Sequence, residues 1–456
     1  MTWLLACTHQ VSPPSGVPDT SARADSSDSV PDSQPADDSG PIDERELSEL
    51  VLRASHNSYE GGDRGSLVEQ LDAGVRFLEL DVHDDDFEDE GYRIGHLWVG
   101  QGVDHDGNPA SDALVDWLAV ISQWSDEHPE HAPIVLGLDL KDDLTDNPHY
   151  DQGNLARLGD ELLQAFGEDL LVELAGLDAM RGEVAVVYSG HEGTRLAALR
   201  DEGANPAIAV NAEGQVVEVH DDGLGSLWYW AGQLDGEGVS WKRHGALGSG
   251  WDPAVALTDG GEVLLISTDQ GNLLDYRAGR FDGEDIVWSD AVAFDSGVLP
   301  SLSWLGGTEF REVHQSASTG STWFWLLELQ DSVVSLGDHD TTSDARYDET
   351  SAGELVVTSD EGDMVVNGER ITYPTRAFVE LQQGNDALIE AQASFAAVSS
   401  GDTEQVEAWK AEGRIVRVWG FDEDDAASSA VPQLPATDTP LAPWYEAWCV
   451  AAGAVE

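Results

Sequence analysis

Lysine is almost missing from this chain: Lys141, Lys242 and Lys410 are the only three. Arginine supplies the rest of 22 basic residues, set against 88 acidic ones, and the formal net charge is −66. That shortage excludes a nucleic-acid binder, since phosphate backbones are held by Lys and Arg. It also opposes adsorption to anionic lipid unless a cation or a tether intervenes. Cysteine is equally scarce, with Cys7 and Cys449 alone, so a disulfide framework is excluded. No stretch approaches the roughly 18 consecutive apolar residues of a membrane-spanning helix. What is present is a chain of 456 residues, 41% of them hydrophobic. That suits one large domain carrying an insert. The acidic excess reads as a strongly solvated surface.

At the start, Leu4-Leu5-Ala6-Cys7 resembles the lipobox of bacterial lipoproteins, in which the Cys is lipidated and becomes the mature N-terminus. Only Met1, Thr2 and Trp3 precede it, so residues 1–7 read as a lipoprotein signal remnant. Residues 8–42 read as a disordered tether; Ser, Asp and Pro fill 20 of the 32 positions from 11 to 42. The resemblance implies a secreted or cell-surface bacterial lipoprotein, held to the membrane by its anchor.

From 43 to 205, short apolar runs alternate with amphipathic stretches. Leu50–Ala54, Val75–Val82, Ile134–Leu140 and Val184–Tyr188 predict strands. Ala113–Trp124 and Leu155–Phe166 predict helices, the latter with Leu155, Leu158, Leu162 and Phe166 at helical spacing. The pattern resumes near the end with strands at Phe395–Ser399 and Ile415–Phe421 around a helix at Thr403–Glu412. Alternation of this kind predicts an α/β fold, a TIM-like (β/α) barrel in two pieces, 43–205 and 351–456.

The middle, 206–350, repeats itself. Pro206-Ala-Ile-Ala-Val210 returns as Pro253-Ala-Val-Ala-Leu257 and Pro300-Ser-Leu-Ser-Trp304, 47 residues apart each time. Tyr229, Tyr276 and Trp323 keep that phase, as do Trp241 and Trp288, and Glu218-Val-His220 returns as Glu312-Val-His314. Such a period, with short β runs and Asp-Gly turns, predicts an all-β propeller-like insert of three repeats, with a degraded fourth near 350–370. The repeats resemble those of bacterial propeller lectins, which implies a glycan partner.

The chemistry lies in Arg53-Ala-Ser-His56-Asn57-Ser-Tyr59, then Glu79-Leu-Asp81, then Gly95-His96, then Asp139-Leu-Lys141. His56 ends one predicted strand. Glu79 and Asp81 are two apart on the next, so both side chains point to one face. His96 ends a further strand, and Asp139 and Lys141 share a face on another. In such a barrel the C-terminal strand ends form the reactive rim. An amide with carboxylates is an oxygen-only ligand set, suited to Ca²⁺ or Mg²⁺. Two imidazoles beside a hard cation suit general base and acid roles in phosphodiester cleavage. His83, with the acidic run after it, reads as a solvated loop rather than a second metal site, and His191 as a strand-end residue more often clear of substrate than touching it.

These residues resemble the X-domain motif of calcium-dependent phosphatidylinositol-specific phospholipases C, in particular their secreted bacterial branch. The resemblance implies that His56 is the general base, His96 the general acid, and Asn57, Glu79, Asp81 and Asp139 the Ca²⁺ ligands. The family's better-known eukaryotic members place Glu where Asp139 stands. Lys141 falls where a cation meets the substrate phosphate. The implied partner is a phospholipid or another phosphodiester. Two other readings stay open. A glycerophosphodiester phosphodiesterase shares barrel, His pair and Glu-x-Asp, but opens with His-Arg where this chain has His56-Asn57. A non-catalytic surface glycan-binding protein would use the barrel only as a scaffold.

Overall fold

The computed structural model describes residues 43–85, 87, 91–145, 155–236, 238–360 and 362–455. The expected signal remnant and tether lie outside the described residues. Val75–His83 shows why the fold begins as it does: all nine residues are buried, which a strand achieves only when both of its faces are covered. Leu78, Leu80 and Val82 point outward onto Trp117, Leu118 and Ile121 of the helix Leu114–Glu127. Phe77, Glu79 and Asp81 point inward.

Eight such strands run parallel: β1 (Arg53–Ser55), β2 (Val75–His83), β3 (Ile134–Leu140), β4 (Val184–Gly190), β5 (Phe378–Gln382), β6 (Phe395–Ser399), β7 (Ile415–Trp419) and β8 (Leu434–Thr437). Each pairs with its neighbours in chain order, and β1 pairs with both β8 and β2, closing a barrel. The interior is apolar toward the N-terminal strand ends, with Phe77, Val135, Val187, Phe395 and Ile415 in one cluster. Gly137 leaves room there, since a Cβ on it would stand 2.8 Å from the Phe77 ring. Toward the C-terminal ends the interior turns charged.

The α/β expectation is corrected. Strand exceeds helix by 43% to 21%, and a barrel ringed by regular helices is not what forms. The crossovers explain part of this. Helices α1 (Leu67–Asp72), α4 (Glu192–Ala197) and α5 (Ala387–Gln392) have six residues each, and α7 (Glu423–Ala426) has four. Among the described residues, only α2 (Leu114–Glu127), α3 (Leu155–Phe166), α6 (Thr403–Ala411) and α8 (Pro443–Ala452) run longer. Apolar spacing locates these helices but does not set their length.

Most of the remaining strand content lies between β4 and β5, in four antiparallel sheets. The first spans 204–249, the second 251–296, the third 298–341 and the fourth 351–370. The leading strands Ala204–Val210, Trp251–Leu257 and Val298–Gly306 pack in series, and Leu355–Asp360 packs on Ala204–Val210. The fourth sheet takes residues that the sequence reading gave to the last barrel piece. In the third sheet, Trp323 and Trp325 stand opposite His314 and Glu312, as Trp228 and Trp230 stand opposite His220 and Glu218 in the first. Trp323 therefore matches Trp228 rather than Tyr229, because the third repeat gains one residue before that strand. Trp230 is fully buried in the core shared with the barrel's outer layer.

Candidate active site

Register builds the site. Asp81 on β2, Asp139 on β3 and Ser189 on β4 are lateral neighbours near the C-terminal ends of their strands. Ser189 donates to Asp139 Oδ1 at 3.3 Å. Ligand oxygens of Glu79, Asp81 and Asp139 lie within 4.8 Å of one another, close enough to share one cation. The Lys141 ammonium sits among them, 2.9 Å from Asp81 Oδ2 and in contact with Asp139 Oδ2. Asp81 also accepts from Tyr59 Oη at 2.9 Å, while its Oδ1 is buried with no hydrogen-bond partner among the described residues. Burial first, then the Asp139 charge, push the Asp81 carboxyl up to about 6. Burial would raise Asp139 too, but Lys141 beside it holds it below the usual range. The donor set thus carries more negative charge than its neighbours neutralise, and its oxygen atoms fit a hard divalent cation.

Two histidines flank the carboxylates. His56 follows β1, and its Nδ1 hydrogen bonds Asp438 Oδ1 at 2.8 Å, just past β8. Asp438 is held below its usual pKa, chiefly by that bond, so it is an ionised acceptor and Nδ1 carries the proton. That leaves Nε2, 3.9 Å from Glu79 Oε2, as the basic nitrogen. Burial depresses His56, but the Asp438 hydrogen bond and the charges of Glu79 and Asp438 outweigh it, and the net shift is upward. His96 lies in a turn that needs glycine before it: a Cβ at 95 would stand 2.3 Å from the Trp98 carbonyl. Its Nδ1 is 3.3 Å from Asp81 Oδ2 and 3.4 Å from Asn57 Nδ2, and 41% of its side chain is exposed. Asn57 takes a left-handed backbone, φ 47°, which turns its N–H onto Glu79 Oε2 at 3.3 Å.

Six of the seven residues singled out from sequence, all but Asp81, line one cleft of about 400 Å³, with Gln382, Asp402 and Trp419 on its far wall. Asp81 lies just beneath, 1% exposed. His83 and His191 are not part of it. His83 is tied to the Gly95 carbonyl and Asp142, and His191 caps α4 by accepting from the Thr194 N–H.

Four residues escaped the sequence reading. Arg417 on β7 donates to Glu79 Oε1 at 2.6 Å and forks onto both oxygens of Glu380 on β5, at 2.8 and 2.9 Å. Its guanidinium also lies over Phe77, 5.5 Å from the ring centre. Arg64 braces the base, donating to the His56 carbonyl at 2.7 Å and pairing with Asp438 at 2.5 Å. The available signal was an Arg and a Glu inside otherwise apolar strands, Ile-Val-Arg-Val-Trp and Phe-Val-Glu-Leu-Gln, which are buried only when paired.

No family model and no curated protein matches the chain. Among solved structures it is similar to a calcium-dependent phosphoinositol-specific phospholipase C from a Gram-negative Pseudomonas species, at 20% identity and a TM-score of 0.29. That match covers 34% of this chain and 60% of the other. A Ca²⁺-dependent phosphatidylinositol-specific phospholipase C from Streptomyces antibioticus matches at 19% identity, covering 31% and 53%, with a TM-score of 0.26. A Hadza microbial sialidase matches at 10% identity, covering 33% and 40%, with a TM-score of 0.23. The chain thus spans about 60% or less of these relatives. Likeness at this level leaves the chemistry to be read from the cleft itself.

Proposed function

We propose that the barrel mouth is the active site of a phosphodiesterase of the phosphatidylinositol-specific phospholipase C type. The observation that carries this is the His56–Asp438 pair facing Glu79, Asp81 and Asp139 across one cleft. With Nδ1–H given to Asp438, His56 Nε2 takes the proton of a polyol hydroxyl that lies beside a phosphodiester. The hydroxyl oxygen bonds to phosphorus, the bond to the leaving oxygen breaks, and that oxygen takes a proton from His96. Lys141 meets the phosphate charge. Glu79, Asp81, Asp139 and the Asn57 amide oxygen would hold a Ca²⁺, which would supply a lowered hydroxyl pKa and positive charge against the phosphorus centre.

The test is inositol phosphate release from phosphatidylinositol vesicles, with Ca²⁺ and with chelator, beside a His56→Ala control. Calcium-dependent release lost in the control supports the reading. No release from any phosphodiester offered, in a chain that binds Ca²⁺, returns the field to the non-catalytic glycan-binding alternative. Release from glycerophosphodiesters alone selects the other enzyme.

The position of Lys141 favours a second reading on one point. Its ammonium already stands between two carboxylates, so it is placed to supply the positive charge in the absence of a metal. Full activity in chelator would select that version. A lipid anchor at Cys7, display at a bacterial surface and glycan contact by the repeats belong to the same proposal, and their support is the sequence alone.

A further inference from the structure

Away from the barrel mouth, three side chains converge where the chain passes from the barrel into the first sheet. Asp201 lies in that link, His220 is next to last on the strand Gln215–Asp221, and His244 lies on Gly238–Ser249. Asp201 Oδ2 is 3.6 Å from His220 Nε2 and 3.5 Å from His244 Nε2. These separations are long for hydrogen bonds, which favour about 2.7–3.2 Å. They suit ligand atoms about 2.0–2.1 Å from one tetrahedral metal, which stand about 3.3 Å apart. The histidines are 1% and 3% exposed.

The outer partners fit the same reading. His220 Nδ1 bonds Glu218 Oε2 at 3.0 Å, His244 Nδ1 bonds Tyr373 Oη at 2.7 Å, and Trp230 Nε1 donates to Asp201 Oδ2 at 2.6 Å. Metal-ligating histidines characteristically have their second nitrogen fixed in this way. The constellation also recurs as a set. Asp295 Oδ2 is 3.3 Å from His339 Nε2 and 3.9 Å from His314 Nε2, with Glu312 on His314 and Trp325 on Asp295. At the matching positions of the second sheet stand Gly248, Leu265, Ser267, Arg277 and Ala291, so all the members are lost together.

We infer that Asp201, His220 and His244 form a tight site for a divalent transition metal of the Zn²⁺ class, and that Asp295, His314 and His339 form a looser second one. Two imidazoles with one carboxylate select such a metal over Ca²⁺. The first site joins the link leaving the barrel to the first sheet, while Tyr373, on the stretch returning to the barrel, holds His244. A bound metal therefore clamps the inserted sheets to the barrel.

The experiment uses the full chain without a histidine tag, stripped by chelator and reloaded with Zn²⁺ or Co²⁺ in excess Ca²⁺. We expect two equivalents of Zn²⁺ by elemental analysis, a visible Co²⁺ spectrum of low-coordinate intensity, and a melting temperature raised by Zn²⁺. His244→Gln loses the tighter equivalent and most of the thermal shift; His339→Gln loses the weaker one. A stripped wild-type chain that takes up no Zn²⁺ and gives no Co²⁺ spectrum overturns the inference whether or not the variants fold. So does metal uptake that neither substitution changes, which would mark these clusters as metal-free hydrogen-bond networks.

Discussion

The Glu349 carboxylate accepts the backbone N–H of Leu302, a residue one repeat length, 47 positions, before it. Glu349 also meets the other two members of that series. Its carboxyl takes a hydrogen bond from the Val255 N–H, and its carbonyl accepts from the Ile208 N–H at 2.9 Å. One residue, through its carboxylate and its carbonyl, thus gathers the leading strands of three sheets from the place the fourth repeat would occupy.

Burial pushes the Glu349 carboxyl up to about 8, against the lowering effect of those N–H groups. The sign follows from linkage. Below the unfolded value, near 4.3, both states are protonated and no penalty exists; between there and about 8 the unfolded chain ionises while the folded carboxyl keeps its proton, so stability falls with rising pH and levels off once the folded acid ionises. Glu349→Gln should therefore melt close to wild type at pH 5 and above it at pH 9. Calorimetry of both chains at the two pH values checks this, and equal melting at pH 9 would remove the buried acid from the account.

Arg417 is buried among Glu79, Glu380 and Phe77, so removing its charge strands two carboxylates. Arg417→Met should destabilise the barrel by about 3–5 kcal/mol. Urea unfolding without substrate reads this directly. Adding Glu380→Gln to the variant should restore part of the loss, since one stranded charge is then gone.

Asp438 fixes the tautomer and orientation of His56. Asp438→Asn should lower kcat by about 10²-fold on a phosphodiester substrate that the wild type cleaves. Because Asp438 also holds the His56 pKa up, the acid limb of the rate profile should move to lower pH in the variant. A rate loss with an unmoved limb would leave Asp438 a purely structural role.

Cation binding at the barrel mouth should strengthen as pH rises through about 6, where Asp81 ionises. Terbium luminescence titrations at pH 5 and 7.5 would show it. Lys141→Met should tighten binding, because the ammonium competes for Asp81 and Asp139, and should slow turnover. Weaker binding in that variant would contradict the competition.

The local motif was legible because its chemistry is confined to strand ends close in sequence. His56-Asn57, Glu79-x-Asp81 and Gly95-His96 fall within about forty residues, and alternation in strands places their faces. Arg417 and Asp438 were not, because their partners Glu79 and His56 lie more than three hundred residues away and only barrel closure brings them together. The repeat was visible as a period, yet the extra residue before Trp323 was not, since one aromatic fits either phase. Helix positions such as Leu155–Phe166 followed from apolar spacing. The short α4, α5 and α7 did not, because a crossover of one or two turns leaves no period to read.

The four sheets begin and end side by side: Asp201 donates its N–H to the Ile371 carbonyl and accepts at its own carbonyl from Met364. Seen from the barrel, everything from 204 to 370 is inserted between the neighbouring parallel strands β4 and β5. A gene could gain or shed that cassette at one surface loop while the eight-strand ring kept its register. Residues 203 and 371 are thus the natural cut for a domain graft, and the seam that a graft must refill is the one where Trp230 packs into the barrel's outer layer.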